Sequence, residues 1–332
     1  MFHGIADAFT LDLVRSGIRL ATPIILAALG GAVANRAGVL DLALEGKMLL
    51  GAFVGILAAY YLGNSGLGVL VAALSGSLLG ALFAFLYLRF NVNLVILAIA
   101  INLFIAEMTV FFMRTLLGDV GSWSDPSIKQ LPDLHIPLID KMPVLGPILS
   151  GHNGIVYFSW FAAIATYIVL FHTKFGRHIR AVGENREAAE TVGINVARVR
   201  FFALILAGAL SAIGGAFLSV GHLTLFTRNI SNGRGWIAVA AALFGLNHPI
   251  GVLLTGLFFG FADALSIRLQ TTTNIPPSLI QFLPHVATLL ALIIVAGRVH
   301  VQEALARRAF RVRAEREIVE ATHATVEASG AD

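Results

Sequence analysis

The sequence contains no cysteine, which excludes a disulfide framework, a thiol nucleophile, an iron–sulfur cluster and a Cys-type zinc site. Charge is scarce as well. Asp, Glu, Lys and Arg make up 13% of 332 residues, far below the roughly 25% of a soluble globular domain. The pattern Gly-x-x-x-x-Gly-Lys-Ser/Thr is missing, so the chain has no phosphate loop with which to hold ATP in the usual way. The apolar segments show no His/Asp/Glu cluster and no nucleophile motif, which argues against a membrane-embedded enzyme. His248, beside Pro249, and His285, after Pro284, are isolated and lack the convergent ligands of a metal site. What fills the chain is apolar: 57% hydrophobic residues and a mean hydropathy of +0.83 describe an integral membrane protein. The net charge of +4 and pI near 9.7 come from basic residues in loops and tail, not from one folded face, so they do not point to nucleic acid.

Segments long enough to cross, at about 17 to 25 residues each, run Ile18–Ala34, Gly66–Leu88, Val92–Met113, Gly154–Phe171, Phe201–Gly221, Gly251–Leu269 and Leu279–Gly297. Lys47–Leu62 is marginal and Gly235–Leu246 is too short to cross upright. The first segment follows Arg15, has Arg19 as its second residue and ends Ala32-Val33-Ala34, so it imitates a cleavable signal; it reads better as an uncleaved first span. The fold class expected is an all-α polytopic membrane protein with about nine to ten transmembrane or broken helices. A transmembrane domain is expected over residues 1–300, with an outer loop over 114–153 that carries Pro126, Pro132, Pro137, Pro143 and Pro147 as an ordered but largely irregular cap. A charged tail is expected over 301–332.

Orientation follows from the loop 172–200. It holds Lys174, Arg177, Arg180, Arg186, Arg198 and Arg200, and short basic loops stay cytoplasmic. Four crossings after it return the tail inside, in agreement with Arg298, Arg307, Arg308, Arg311, Arg313 and Arg316. Five crossings before it leave Arg15 and Arg19 outside, unless Asn35–Lys47 crosses as a broken helix. Short or Gly-interrupted segments in corresponding positions of two halves mark discontinuous transporter helices. Asn35-Arg36-Ala37-Gly38-Val39 and Asn232-Gly233-Arg234-Gly235-Trp236 each precede such a segment, which allows an inverted repeat. Spacings such as Gly51/Gly55, Gly76/Gly80, Ala207/Ser211/Gly215 and Gly256/Gly260 suit close helix packing in lipid.

Within the basic loop Asn185 caps a short helix, Glu187 occupies its first turn, and Gly193 supplies a left-handed exit. That places a small exposed helix where a soluble partner can push on it. Glu107 and Asp263 lie inside apolar spans, where a carboxylate costs about 2.5 to 3.5 kcal/mol at mid-membrane. With Asn102 they are the candidates for a polar pathway; the competing reading has Arg114 and Arg268 neutralise the two carboxylates locally. Arg228 and Arg234 read as outer-loop residues, suited either to a carboxylate on a docked protein or to lipid phosphate.

Three motifs in order carry a family resemblance: Arg36-Ala-Gly-Val-Leu-Asp-Leu-Ala-Leu-Glu-Gly46 and onward to Ala52; Gly176-Arg177 with Ala181-Val182-Gly183-Glu184-Asn185-Arg186-Glu187-Ala188-Ala189 and Gly193–Val196; and Gly235-Trp236-Ile237-Ala238-Val239-Ala240 with Gly245 and Pro249. Over Ile18–Gly297 the chain resembles permease subunits of bacterial ABC importers of the branched-chain amino acid, ribose and nucleoside group, most of all the simple-sugar and nucleoside branch. Lys47 departs from it, since an uncharged residue is expected there. The resemblance implies a multi-pass subunit of the bacterial cytoplasmic membrane that forms the path for nucleosides or simple sugars. It implies two cytoplasmic ATPase subunits, a second and related permease, and an external binding lipoprotein or periplasmic protein. No cofactor is implied for this chain; ATP and Mg belong to the ATPases. ATPase coupling is implied for Gly183, Glu184, Asn185, Ala188, Ala189 and Gly193, and binding-protein docking for Arg228 and Arg234. An ion-coupled secondary transporter, from a different class, would also explain broken helices and intramembrane carboxylates.

Overall fold

The computed structural model describes residues 11–118, 121–135, 137–140, 145–272, 280 and 286. The chain divides into one unit over Met1–His285 and another over Val286–Asp332. Apart from positions 280 and 286, the expected span Leu279–Gly297 and the tail 301–332 lie outside the described residues, as do Pro143 and His285.

The elements run α1 (Leu11–Arg36), α2 (Leu44–Leu62), α3 (Ser65–Phe90) and α4 (Leu94–Leu117), then an outer segment with β1 (Ser122–Trp123), β2 (Asp133–Leu134), α5 (Pro137–Asp140), α6 (Leu145–Leu149) and β3 (His152–Asn153). There follow α7 (Gly154–His172), α8 (Lys174–Glu184), α9 (Arg186–Thr191) and α10 (Val196–Ala216), which continues as a π-helical turn, Phe217–Leu223. Strand β4 (Phe226–Thr227), the short α11 (Arg234–Phe244) and α12 (Pro249–Thr272) complete the described order. Seven of these helices are long and apolar enough to cross a membrane. The protein is therefore all-α and polytopic, as its composition requires.

Asparagines and glycines punctuate the helices. Asn64, Asn93, Asn153, Asn185 and Asn195 each accept a backbone N–H in the first turn of the helix that follows, satisfying donors that have no intrahelical partner. The outer segment is ordered but largely irregular, as expected, and two tiny antiparallel pairs hold it: β1 with β4 and β2 with β3. Burial lowers the His152 pKa, so the ring is neutral and Nε2 can donate to the Ile148 carbonyl at 2.8 Å.

The basic segment α8–α9 marks one end of the bundle, the end expected to be cytoplasmic. Gly183 sits against the Arg36 carbonyl, which brings the C-terminal end of α1 to that side. At the other end of α1, Arg15 donates to the Gly151 carbonyl at 2.7 Å, so this end lies with the outer segment. Arg15 and the basic segment therefore lie at opposite ends of α1, the arrangement of the five-crossing count. Residues 37–43 turn back into the bundle and do not cross.

Two three-helix sets share one plan. Helix α1 descends and is followed by a non-helical return, α2 and α3; helix α10 ascends and is followed by a return over 224–233, α11 and α12. Packing obeys the same correspondence: α10 lies along α3 as α1 lies along α12, and α2 contacts α10 as α11 contacts α1. Because α1 and α10 run in opposite directions, the relation is inverted, the arrangement typical of transporter halves. Small residues permit the contacts. A Cβ on Gly51 would meet the Ala212 backbone, one on Gly76 the Gly208 carbonyl, and one on Gly260 the Ala21 backbone.

Candidate functional site

In the basic segment, Thr173 caps α8 and Asn185 Oδ1 caps α9 by accepting from Ala188 N at 3.0 Å. Helix α9 ends in a Schellman motif: Ile194 N donates to the Ala189 carbonyl and Gly193 N to the Glu190 carbonyl, with Gly193 at φ +82°. The expected helix and its left-handed exit are both present. Their faces differ. Ala189 is buried with Val33, Ala37, Leu170, Ile179 and Val182, whereas Ala188 and Glu184 are exposed and Val192 is 74% exposed. Arg186 pairs with Glu190 at 3.0 Å, and that hydrogen bond raises its pKa.

A second polar centre lies within the helix bundle, where the returns before α2 and α11 meet. Glu45, in the first turn of α2, accepts from Ser231 Oγ at 2.6 Å, Gly233 N at 2.9 Å and Gly235 N at 2.7 Å. Its carboxylate thus satisfies the N-terminal amides of α11 and complements that helix dipole. Asn102 does the corresponding service for α2. Its Oδ1 accepts from Gly46 N at 2.8 Å and its Nδ2 donates to the Leu42 carbonyl at 3.0 Å. Lys47 is fully buried, ion-paired with Asp41 and 4.8 Å from the centroid of the Phe83 ring.

The structure redistributes the charges that the sequence placed. Arg234 does not sit in an exposed outer loop: it opens α11 and bonds Asp263 at 2.8 Å, both side chains largely buried. Asp263 therefore answers to Arg234 in its ion pair, since the fold brings α11 against α12. Glu107, 72% exposed on α4, pairs with Arg228 at 3.6 Å, not with Arg114. Arg228 remains on the outer side, its N–H bonded to the Gly121 carbonyl. Among the described residues no group of His, Asp and Glu could hold a metal; His248 stacks near Phe171 and Tyr167.

Sequence reasoning used Arg36 and Glu45 only as letters of a motif. The available signal was four charged residues, Arg36, Asp41, Glu45 and Lys47, in an otherwise apolar stretch, each requiring a partner.

Membrane-length helices in an inverted arrangement, broken at a polar centre and joined by an exposed basic helix pair, define a multi-pass permease. The chain belongs to the branched-chain amino acid transport system permease component family, matched over residues 13–295. It is 34% identical over 299 residues to the guanosine ABC transporter permease protein NupQ of Bacillus subtilis, covering 86% of this chain and 92% of that one. It is 32% identical over 304 residues to the nucleoside ABC transporter permease protein NupC of Lactococcus lactis (87% and 94% covered). It is 33% identical over 269 residues to the putative glucose ABC transporter permease protein TsgC13 of Haloferax volcanii (80% and 79%). No solved structure matches the chain significantly.

Proposed function

We propose that this chain is the transmembrane permease subunit of an ATP-driven importer of nucleosides, with simple sugars as the second substrate class. It acts as half of a permease pair with a related chain. Two cytoplasmic ATPases hold ATP and Mg, and an external binding protein delivers the substrate. The observation that carries the reading is an exposed helix pair, α8–α9, on the cytoplasmic side of a chain that lacks a phosphate loop. Force has to arrive from outside, and this is where a soluble partner can apply it. Relatives named for guanosine and nucleoside transport support the substrate class.

The pathway is placed along the open face of α4. Glu107 lies about 20 Å along α4 from its cytoplasmic start, too deep for a carboxylate facing lipid. A water-filled path between two permeases accommodates it. Arg228, beside Glu107 on the outer side, is the docking candidate for a carboxylate of the binding protein.

The test is uptake of labelled nucleoside into proteoliposomes. With partner permease, ATPase and loaded binding protein, uptake should follow ATP hydrolysis. The chain alone under an imposed proton or sodium gradient should give none, and robust gradient-driven uptake would identify a secondary transporter instead.

A further inference from the structure

The segment Arg36–Glu45 reaches both ends of α11. At the C-terminal end Arg36 Nε donates to the Asn247 carbonyl and Nη2 to the Leu246 carbonyl, each at 3.0 Å, while Asn35 Nδ2 donates to Asn247 Oδ1 at 2.9 Å. At the N-terminal end Glu45 takes Ser231 Oγ and the N–H groups of Gly233 and Gly235. The carbonyls that Arg36 holds belong to the turn that closes α11, just past its last helical residue Phe244, and the carboxylate on the amides at the helix start complements the helix dipole. The helix between them is about 16 Å long, roughly half the hydrocarbon core. One end of α11 is therefore at the cytoplasmic face and the other at the polar centre.

The cytoplasmic end touches the coupling helices. Gly183 of α8 lies so close to the Arg36 carbonyl that a Cβ would collide with it. A cavity of about 510 Å³ is lined jointly by Arg36, Arg180, Gly183, Glu184, Leu246 and Asn247. Contact thus runs from α8 to Arg36, from Arg36 to the closing turn of α11, and from α11 through Glu45 to the first turn of α2.

We infer that Arg36 and Glu45 are positioning residues that make α11 a rod between the ATPase-facing helices and the polar centre, so that displacement of α8 moves the start of α2. This rests on the ATP-driven reading above. Leu243, 45% exposed on α11, gives a place to observe the motion.

The experiment uses the whole complex in proteoliposomes, with hydrolysis and nucleoside uptake measured in the same vesicles. ATP-dependent uptake by the parent complex tests the importer reading on its own. Given that uptake, Arg36→Gln and Glu45→Gln should each lower substrate carried per ATP by about tenfold, the scale of a lost charge-assisted bond. Hydrolysis should persist, and Arg36→Lys, which keeps the charge and one donor, should recover part of the ratio. The cysteine-free chain permits a direct readout, because Leu243→Cys introduces its sole thiol. Maleimide labelling of that thiol should differ between nucleotide-free and vanadate-trapped states, and Glu45→Gln should abolish the difference. Ser231→Ala removes one partner of Glu45 and should give a smaller loss in the same ratio, which keeps the test available if the charge variants fail to assemble. An unchanged ratio in Ser231→Ala, or in assembled Arg36 and Glu45 variants, would leave the contacts as packing alone and overturn the inference.

Discussion

Ala188 and Ala189 are neighbours in α9 with opposite surroundings, although the sequence alone treated them as one contact surface. Ala188 is exposed beside Val192, and Ala189 is 3% exposed within the small core that holds α8 and α9 to α1 and α10. An arginine at the two positions should therefore fail in different ways. Ala188→Arg adds bulk and charge on the outward face only, so the permease should insert and keep its thermal stability while the ATPase no longer co-purifies. Ala189→Arg has to place a guanidinium among Val33, Leu170 and Ile179, and should cost about 1 to 3 kcal/mol from overpacking, with more from charge burial. Its signature is a lowered unfolding temperature in detergent even without ATPase. Equal stability of the two variants would mean that α9 does not rest on Ala189. Gly193 belongs to the same scale: at φ +82° with open space where a Cβ would stand, any cost of Gly193→Ala is backbone strain, about 1 to 2 kcal/mol, without a clash.

At the scale of elements, the return between α1 and α2 is held by the buried pair Asp41–Lys47. Asp41 also accepts from Ala43 N at 3.0 Å, so the pair ties the non-helical residues to the first turn of α2. Lys47→Met should destabilise the fold by about 3 to 5 kcal/mol, because it strands a buried carboxylate, whereas Lys47→Met with Asp41→Asn should recover most of the loss. Thermal unfolding of the two variants checks this, and equal losses would show that the charges are not coupled. The pair also explains what the sequence could and could not reveal. Long spans are legible because hydropathy is a local sum, and the short helix α9 because its caps lie within ten residues of each other. The start of α2 is obscured because Glu45 and Lys47 lower local hydropathy, and the partners of Glu45 lie at 231–235 across the fold. Local pairing assigned Glu107 to Arg114 and Asp263 to Arg268; the structure pairs them with Arg228 and Arg234, whose proximity only the return over 224–233 creates. The inverted repeat was visible as two loop-to-helix junctions, and packing of α10 on α3 and α1 on α12 supplies the rest.

For the whole molecule the decisive asymmetry is between a buried α1 and an open α4. Helix α1 is enclosed on nearly all sides, whereas α4 touches α2 and the edge of α3 and leaves Ile96, Ile99, Leu103, Phe104, Glu107 and Phe111 exposed along one stripe. Apolar members of such a stripe suit lipid; Glu107 does not, at a cost of about 2.5 to 3.5 kcal/mol near mid-membrane. Arg228 at 3.6 Å offsets part of that cost without removing either charge from the exposed face. A second permease laid against this stripe would leave a polar, hydrated seam at Glu107 and bury its apolar flanks. Two measurements follow. A cysteine placed by Leu103→Cys should cross-link to the corresponding helix of the partner permease in the assembled complex, and Glu107→Cys should react with a membrane-impermeant maleimide added from outside. Glu107→Leu should then leave insertion, pairing and ATPase association intact while reducing nucleoside uptake, because an apolar residue dries the seam without weakening the contact. If Leu103→Cys never cross-links and Glu107→Cys reacts only with lipid-soluble reagents, α4 faces the bilayer and the path has to be sought on another face.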